Sequence, residues 1–393
     1  MTAPKSIATL AVHGGESHPK AHDAITDAVY CTSTYTFKDS AAVLRFLEED
    51  PNREEYGRYG NPNERVVERK LAALEGAESA LVFSSGMSAI VTLLMAKTNA
   101  GDEIVFFDEC YHRSREFCLK HLSRFGVTTR VVKTNDYAAL DAAVGPKTRL
   151  LISESPTNPH LSVVDVDRFA EFGRQRGVET LIDATLATPF NLRPIAAGID
   201  YVLHSATKYF GGHNDLLAGV VAGKTEKLDP VRNLRGIIGT IASPQVCWLL
   251  QRGLKTFALR MAQHNRNGLA LAEFLASRPE VARVYYPGVK SHPGHDVAAR
   301  TMKGFGGLLT FTLRGDRRDA MRFVDAVRIP KIGPSLGGVE SLIEQPLLMS
   351  YWKMTPEQRS AIGIEDAMIR VSAGIEDTDE LIADFRQAFE TLA

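Results

Sequence analysis

Lys208 stands in the run His204-Ser205-Ala206-Thr207-Lys208-Tyr209-Phe210-Gly211-Gly212-His213, between two hydroxyl residues and a glycine pair. An apolar, strand-like run, Tyr201–Leu203, delivers the chain into it. A lysine amine placed there suits a Schiff base, and the hydroxyls and backbone N–H groups suit a phosphate. Pyridoxal phosphate (PLP) asks a protein for that pairing. Taken alone, the run also reads as a surface lysine in a turn, so the remaining parts of such a site have to be found elsewhere in the chain.

Each part has a candidate. Asp183 ends the apolar run Thr180–Ile182. A carboxylate at the carboxyl end of a buried strand lies where ligands bind in parallel α/β sheets, and held against a pyridine nitrogen it keeps that nitrogen protonated. Ser84-Ser85-Gly86-Met87 joins the strand-like Ala80–Phe83 to the helical Ser88–Lys97, and a helix N-terminus attracts anions. Ser85, Gly86 and Met87, with Ser205 and Thr207, would complete a phosphate cradle. Tyr111 is a platform for the ring. Arg370, in the short run Met368–Ser372, offers a fork for an α-carboxylate. Asn158 stands in Glu154–Pro159, a strand end stiffened by two prolines that could aim it at a ring oxygen. Singly, each has a blander reading: an N-cap, a packed tyrosine, a surface salt bridge.

The elements that must position these residues follow from periodicity. From about Asn61 to Gly223, apolar runs alternate with amphipathic helical patterns such as Val166–Arg176 and Ser114–Phe125. The runs are Ala80–Phe83, Ile104–Phe107, Arg130–Val132, Leu150–Ile152, Thr180–Ile182, Tyr201–Leu203 and Leu217–Val221. This alternation predicts an α/β domain with a mainly parallel central sheet over residues 61–250. Residues 1–60, rich in Thr, Ser and Gly, form an arm too polar for a core of its own, expected to wrap the body or a neighbouring subunit. Residues 251–393 form a smaller α+β domain. It follows a long helical stretch, Pro244 to about Ser277, and contains the strands Val284–Tyr286, Leu308–Leu313 and Ile369–Ser372 and a last helix from Asp379 to Leu392.

The bulk properties exclude several classes. The 393 residues are 44% hydrophobic and 24% charged, with a formal net charge of −1, which gives nucleic acid or an anionic membrane no purchase. No apolar run reaches the ~20 residues of a bilayer span, and Met1–Leu10 lacks a signal-peptide core. Cys31, Cys110, Cys118 and Cys247 are far apart, which speaks against zinc and disulfides and for a reducing cytoplasm. His204 and His213 flank Lys208 without further spaced ligands, so no metal is expected. Gly219–Thr225 resembles a Walker A loop but has one residue too few between its glycines, so ATP is not expected.

Together these segments resemble the Cys/Met-metabolism (trans-sulfuration) PLP-dependent enzymes of the aspartate-aminotransferase-like transferase fold, fold type I. The resemblance runs in one order through Tyr56–Pro62, Ser85-Gly86-Met87, Glu154–Pro159, Asp183, Ser205–His213, Ser335–Ser341 and Arg370-Val371-Ser372. It implies that Lys208 is the Schiff-base lysine and proton shuttle, and that Tyr111 stacks on the ring and assists proton transfer. It implies that Tyr56 and Arg58 reach a neighbour's cofactor phosphate, in a homotetramer built as a dimer of dimers. Ser335, Arg370 and Asn158 would orient the substrate carboxylate. Within the group the chain looks most like plant-type cystathionine γ-synthases, through Tyr56–Pro62, Asp108–Arg115 and Glu344–Trp352. Glu340 matches a position tied to chemistry at Cγ, and Arg113 the position of a lysine that reads a substrate phosphate. The expected activity is γ-replacement of an activated homoserine ester by cysteine to give cystathionine. The alternatives are γ-elimination from cystathionine, methionine or a homoserine analogue with a nitrogenous leaving group and, remotely, a non-catalytic PLP-binding protein. Glu54 and Glu55, just before Tyr56, read as a solvated acidic turn or as part of the site entrance.

Overall fold

The computed structural model describes residues 5–49 and 53–392. The first four residues of the arm, its residues 50–52, and residue 393 lie outside the described residues. Seven strands form the larger sheet: β1 (Ser79–Phe83), β2 (Glu103–Phe107), β3 (Thr128–Val132), β4 (Thr148–Glu154), β5 (Glu179–Asp183), β6 (Tyr201–Ser205) and β7 (Gly219–Gly223). Their order is β1-β7-β6-β5-β4-β2-β3, and only β7 runs antiparallel to its neighbours. The strands are apolar on both faces because helices cover both. On one side Leu81, Phe83, Leu93, Ile104 and Leu203 pack together; on the other, Val105, Phe107, Phe169, Ile182 and Val202 do.

The smaller sheet has the order β10-β11-β12-β9-β8, from β8 (Val281–Tyr285), β9 (Leu308–Leu313), β10 (Lys331–Ile332), β11 (Leu342–Glu344) and β12 (Met368–Ser372). Its core holds Leu309, Phe311, Phe323, Ile369 and Phe385. The mainly parallel sheet with a smaller C-terminal α+β unit is the expected architecture. Several elements differ in detail. The Pro244–Ser277 stretch is two helices, Pro244–Lys255 and Phe257–Ala276, broken at Thr256 where the backbone closes a tighter turn onto Gly253. Ser114–Phe125 starts earlier, as the helix His112–Glu116, then passes through a π-helical and a 3-10 turn. The run Leu217–Val221 becomes strand only at Gly219, since Leu217 is left in solvent.

The arm divides in two. Its helix Ile7–His13 is docked on its own chain: Lys70 Nζ, fully buried, donates to the carbonyls of Ala11 and Val12 at 3.0 and 2.8 Å. Glu16 faces the same amine at 3.2 Å, and Trp248 Nε1 donates to the Asp27 carbonyl. Beyond that point the arm exposes Val29, Tyr30, Leu44, Leu47 and Tyr56. Close by, Arg235 anchors the helix Pro62–Glu75 to the sheet, reaching Glu64 (2.8 Å), Glu68 (2.7 Å) and the Val82 carbonyl (2.6 Å).

Candidate active site

Three adjacent strands, β4, β5 and β6, end in Glu154, Asp183 and Ser205, and Lys208 follows in the turn after β6. The register sets Glu154 beside Asp183 and Asp183 beside Leu203. This is the carboxyl edge of the parallel strands, where α/β sheets bind ligands. Burial and the neighbouring Asp183 push the Glu154 carboxyl well up; its Oε2 accepts from the Tyr111 N–H at 2.7 Å, which fixes the start of the helix His112–Glu116. Burial also raises Asp183, against two hydrogen bonds that Thr185 donates to Oδ1 from its N–H (3.0 Å) and hydroxyl (2.5 Å).

Ser85 caps the helix Gly86–Lys97, its hydroxyl accepting from the Ser88 N–H, in a reciprocal pair with the Ser88 side chain. A Cβ on Gly86 would stand 3.0 Å from Ser205 Cβ, and one on Gly219 only 2.1 Å from the Ser85 carbonyl oxygen. Glycine at both places therefore lets the ends of β6 and β7 close on the helix N-terminus. Met87 takes a weak contact from the Ser114 hydroxyl, 3.8 Å from its sulfur. The Thr207 hydroxyl is turned to Ala218, whereas that of Ser205 makes no hydrogen bond among the described residues.

Lys208 Nζ donates to Ser335 Oγ at 2.6 Å. Burial, and the positive Arg370 nearby, bring this amine down to about 8, while Glu344 works in the other direction. Ser335 is held at φ 94°, a conformation that costs a non-glycine residue about 1–3 kcal/mol. Its carbonyl accepts from Arg370 Nη2 (3.0 Å), and Asn158 Oδ1 accepts from Arg370 Nη1 (3.2 Å). Arg370, on β12, is buried and lies 2.9 Å from Glu344 on β11. Lys208, Ser335, Arg370 and Asn158 thus form one connected cluster drawn from both sheets.

Other expected residues lie apart within one chain. Arg58 Nη1 donates to the Gly236 carbonyl at 2.7 Å, and its guanidinium lies over the rings of Tyr56 and Tyr59. Glu54 pairs with Arg65 (2.6 Å), and the Glu55 carbonyl accepts from the Tyr35 N–H. Glu340 is exposed and accepts from Asn214 Nδ2 at 2.8 Å. Arg113 is exposed too: it pairs with Glu116 one helical turn on, at 2.8 Å, and does not line the neighbouring cleft. That cleft, about 870 Å³, opens between the two sheets' domains and is bounded by Asp108, His112, Arg115, Asn158, Tyr285 and Tyr351. Glu344 joins the cluster through Arg370 and is not among the residues expected from the sequence. In the sequence it opens the stretch Glu344–Trp352 that carries part of the family resemblance, but a lone carboxylate ahead of Pro346 does not announce a partner.

The family of Cys/Met metabolism PLP-dependent enzymes matches residues 8–390. The chain belongs to that family. It is 44% identical over 390 residues to the chloroplastic cystathionine gamma-synthase 1 of Arabidopsis thaliana, covering 98% of this chain and 69% of the relative. Among solved structures, metB from Corynebacterium glutamicum superimposes with a TM-score of 0.92 at 35% identity, covering 99% of each chain. The cystathionine gamma-lyase from Lactobacillus plantarum, complexed with L-serine, gives 0.90 at 36% identity, with 98% and 99% covered. The protein is therefore a fold-type-I enzyme that works with PLP. Its residues fit the group: a half-buried amine, a helix N-terminus with a free hydroxyl beside it, and a half-buried carboxyl, Asp183, whose Oδ2 accepts nothing among the described residues. A protonated pyridine nitrogen would be a donor of the kind this oxygen can accept from. Among the described residues no helix is long and apolar enough to cross a membrane.

Proposed function

We propose that the protein catalyses γ-replacement on an activated homoserine ester, with cysteine as the incoming thiol and cystathionine as product. What supports this reading is the similarity to a cystathionine gamma-synthase, together with a cluster in which Lys208 Nζ donates to Ser335 Oγ and Arg370 Nη2 to the Ser335 carbonyl. When bound, PLP supplies an electron sink next to the substrate Cα. Lys208 would hold it, with Asp183 at the ring nitrogen, Tyr111 at its face, and Ser85, Gly86, Met87, Ser205 and Thr207 around its phosphate.

The chain's own residues supply the rest. Arg370 and Asn158 seat the α-carboxylate. This turns the Cα–H and Cβ–H bonds toward Lys208, whose amine, at about 8, gains and loses a proton near neutral pH. Ser335 Oγ accepts from Nζ and so aims that amine. Glu154 holds the Tyr111 N–H and so places the ring of Tyr111. The γ-substituent leaves with its bonding electrons and takes up the proton of the incoming thiol, the thiolate bonds to Cγ, and the protons removed from Cβ and Cα return through Lys208. Tyr56 and Arg58 act on a neighbouring subunit in a homotetramer, and the four free cysteines go with a cytoplasmic location.

The second reading, γ-elimination, is supported by the likeness to the Lactobacillus plantarum cystathionine gamma-lyase; Arg113, paired with Glu116 at the surface, bears only on which γ-substituent is read. O-phospho-, O-acetyl- and O-succinylhomoserine, cystathionine and a cationic γ-substituted homologue should be incubated with and without cysteine and analysed by mass spectrometry. Cystathionine formation from an ester supports replacement. Release of a 2-oxo acid irrespective of cysteine, or turnover of the cationic homologue alone, rejects it.

A further inference from the structure

Glu344 is a buried carboxylate that none of the roles above employs. It sits in β11 directly across from Arg370 in β12, in antiparallel register, and the two side chains meet at 2.9 Å with 3% and 7% exposure. Burying a carboxylate costs several kcal/mol unless a cation and good geometry repay it, and the cation here is itself shared. Arg370 is held on other sides by the Ser335 carbonyl and Asn158. The charged groups facing Lys208 are Arg370 and Glu344; Tyr209 and Tyr351 face Arg370. Among the described residues Glu344 is thus the one anion in contact with the guanidinium that would meet an α-carboxylate.

We propose that Glu344 is a positioning residue for the amino-acid substrate: it fixes the Arg370 fork toward the α-carboxylate and supplies the negative charge that balances Arg370 beside Lys208. The inference rests on the reading of Arg370 and Lys208 given above. Its physical logic has two separable parts. Orientation needs a side chain of the right length that contacts Nη2, whereas balance needs the charge. Without that charge Arg370 stands uncompensated next to the Lys208 nitrogen, so a proton there becomes easier to lose. The sign follows from Glu344 favouring, and Arg370 opposing, the protonated amine.

Three variants of the holoenzyme separate the parts. Glu344→Gln keeps length and loses charge. The pH midpoint at which the visible absorption of the lysine-bound cofactor changes should move down by about one unit, the scale of one neighbouring charge. Glu344→Asp keeps the charge and should leave that midpoint near wild type. Glu344→Ala should raise KM for the amino-acid substrate about tenfold, as for loss of one charge-assisted contact, with kcat within about threefold. The Kd of a non-reacting amino acid, read from the same absorption, should rise in parallel. An unmoved midpoint in Glu344→Gln, or an unmoved KM and Kd in Glu344→Ala, overturns the proposal. If Glu344→Gln does not fold, the proposal stands or falls on the other two, because a merely structural role predicts equal loss in Asp and Ala. Lys208→Ala and Arg370→Ala serve as controls. Retained visible absorption in the first, or unchanged KM in the second, breaks the site reading itself and not only the role of Glu344.

Discussion

Lys208 carries the sharpest consequence at the level of single residues. An unburied lysine amine is almost wholly protonated at neutral pH, whereas burial beside Arg370 brings this one down to about 8. Only the neutral amine attacks an aldehyde. Cofactor-free protein mixed with PLP should therefore develop visible absorption at a rate that climbs with pH and levels off just above pH 8; a rate still climbing steeply at pH 10 would contradict it. Folding stability follows the same proton. Protonating this amine is harder in the folded chain, so it costs folding stability below about 8, and that cost fades as pH rises from about 8 into the ordinary lysine range. The residues that were legible in the sequence share a trait with Lys208. Asp183, Ser85, Ser205 and Arg370 each sit in or at the end of an apolar run, and local patterning marks such places. Glu344 was not legible. Its partner is chosen by cross-strand register between two short strands, which no local spacing records. Arg113 kept a plausible charge, but the turn of helix carrying it places Glu116 within reach and faces the pair outward.

Among the elements, the junction between the helix Gly86–Lys97 and strands β6 and β7 is the tightest. Gly219 is in the segment that mimics a nucleotide loop, yet it is the first residue of a fully buried strand. Its real constraint is the Ser85 carbonyl, 2.1 Å from where a Cβ would be. Gly219→Ala must push β7 or the capped helix start aside. It should lower stability by about 2–3 kcal/mol in chemical denaturation and weaken cofactor retention. Gly145→Ala, with nothing within 4 Å of its Cβ, should fall within about 0.5 kcal/mol of wild type. Equal effects at the two positions would show that this approach is not what the junction depends on. Sequence periodicity located these strands to within two or three residues, because apolar runs flanked by glycine and proline are unambiguous. It did not find the break at Thr256 or the two-residue strand β10, where tertiary contacts decide a single backbone turn.

For the molecule as a whole, the arm raises the question of assembly. Its first part is bound to its own body through Lys70, Glu16 and Trp248, while the stretch from Val29 to Tyr56 leaves large apolar side chains in solvent. If Arg58 serves a neighbour's cofactor phosphate, Lys208→Ala and Arg58→Ala oligomers, each inactive, should regain part of the wild-type activity after dissociation and mixing. Hybrids carry one intact site. A mixture as inactive as its components would assign Arg58 to its own chain. The division of the cluster between the two sheets has a mechanical outcome as well. Lys208 follows a strand of one sheet and Arg370 belongs to the other, so an amino acid held by both bridges them like a strut. Amide hydrogen exchange should then fall in two steps: cofactor alone should slow the ends of β5 and β6, and only a bound amino acid should slow β11 and β12. Protection reaching both sheets with cofactor alone would mean that the domains are already locked before substrate arrives.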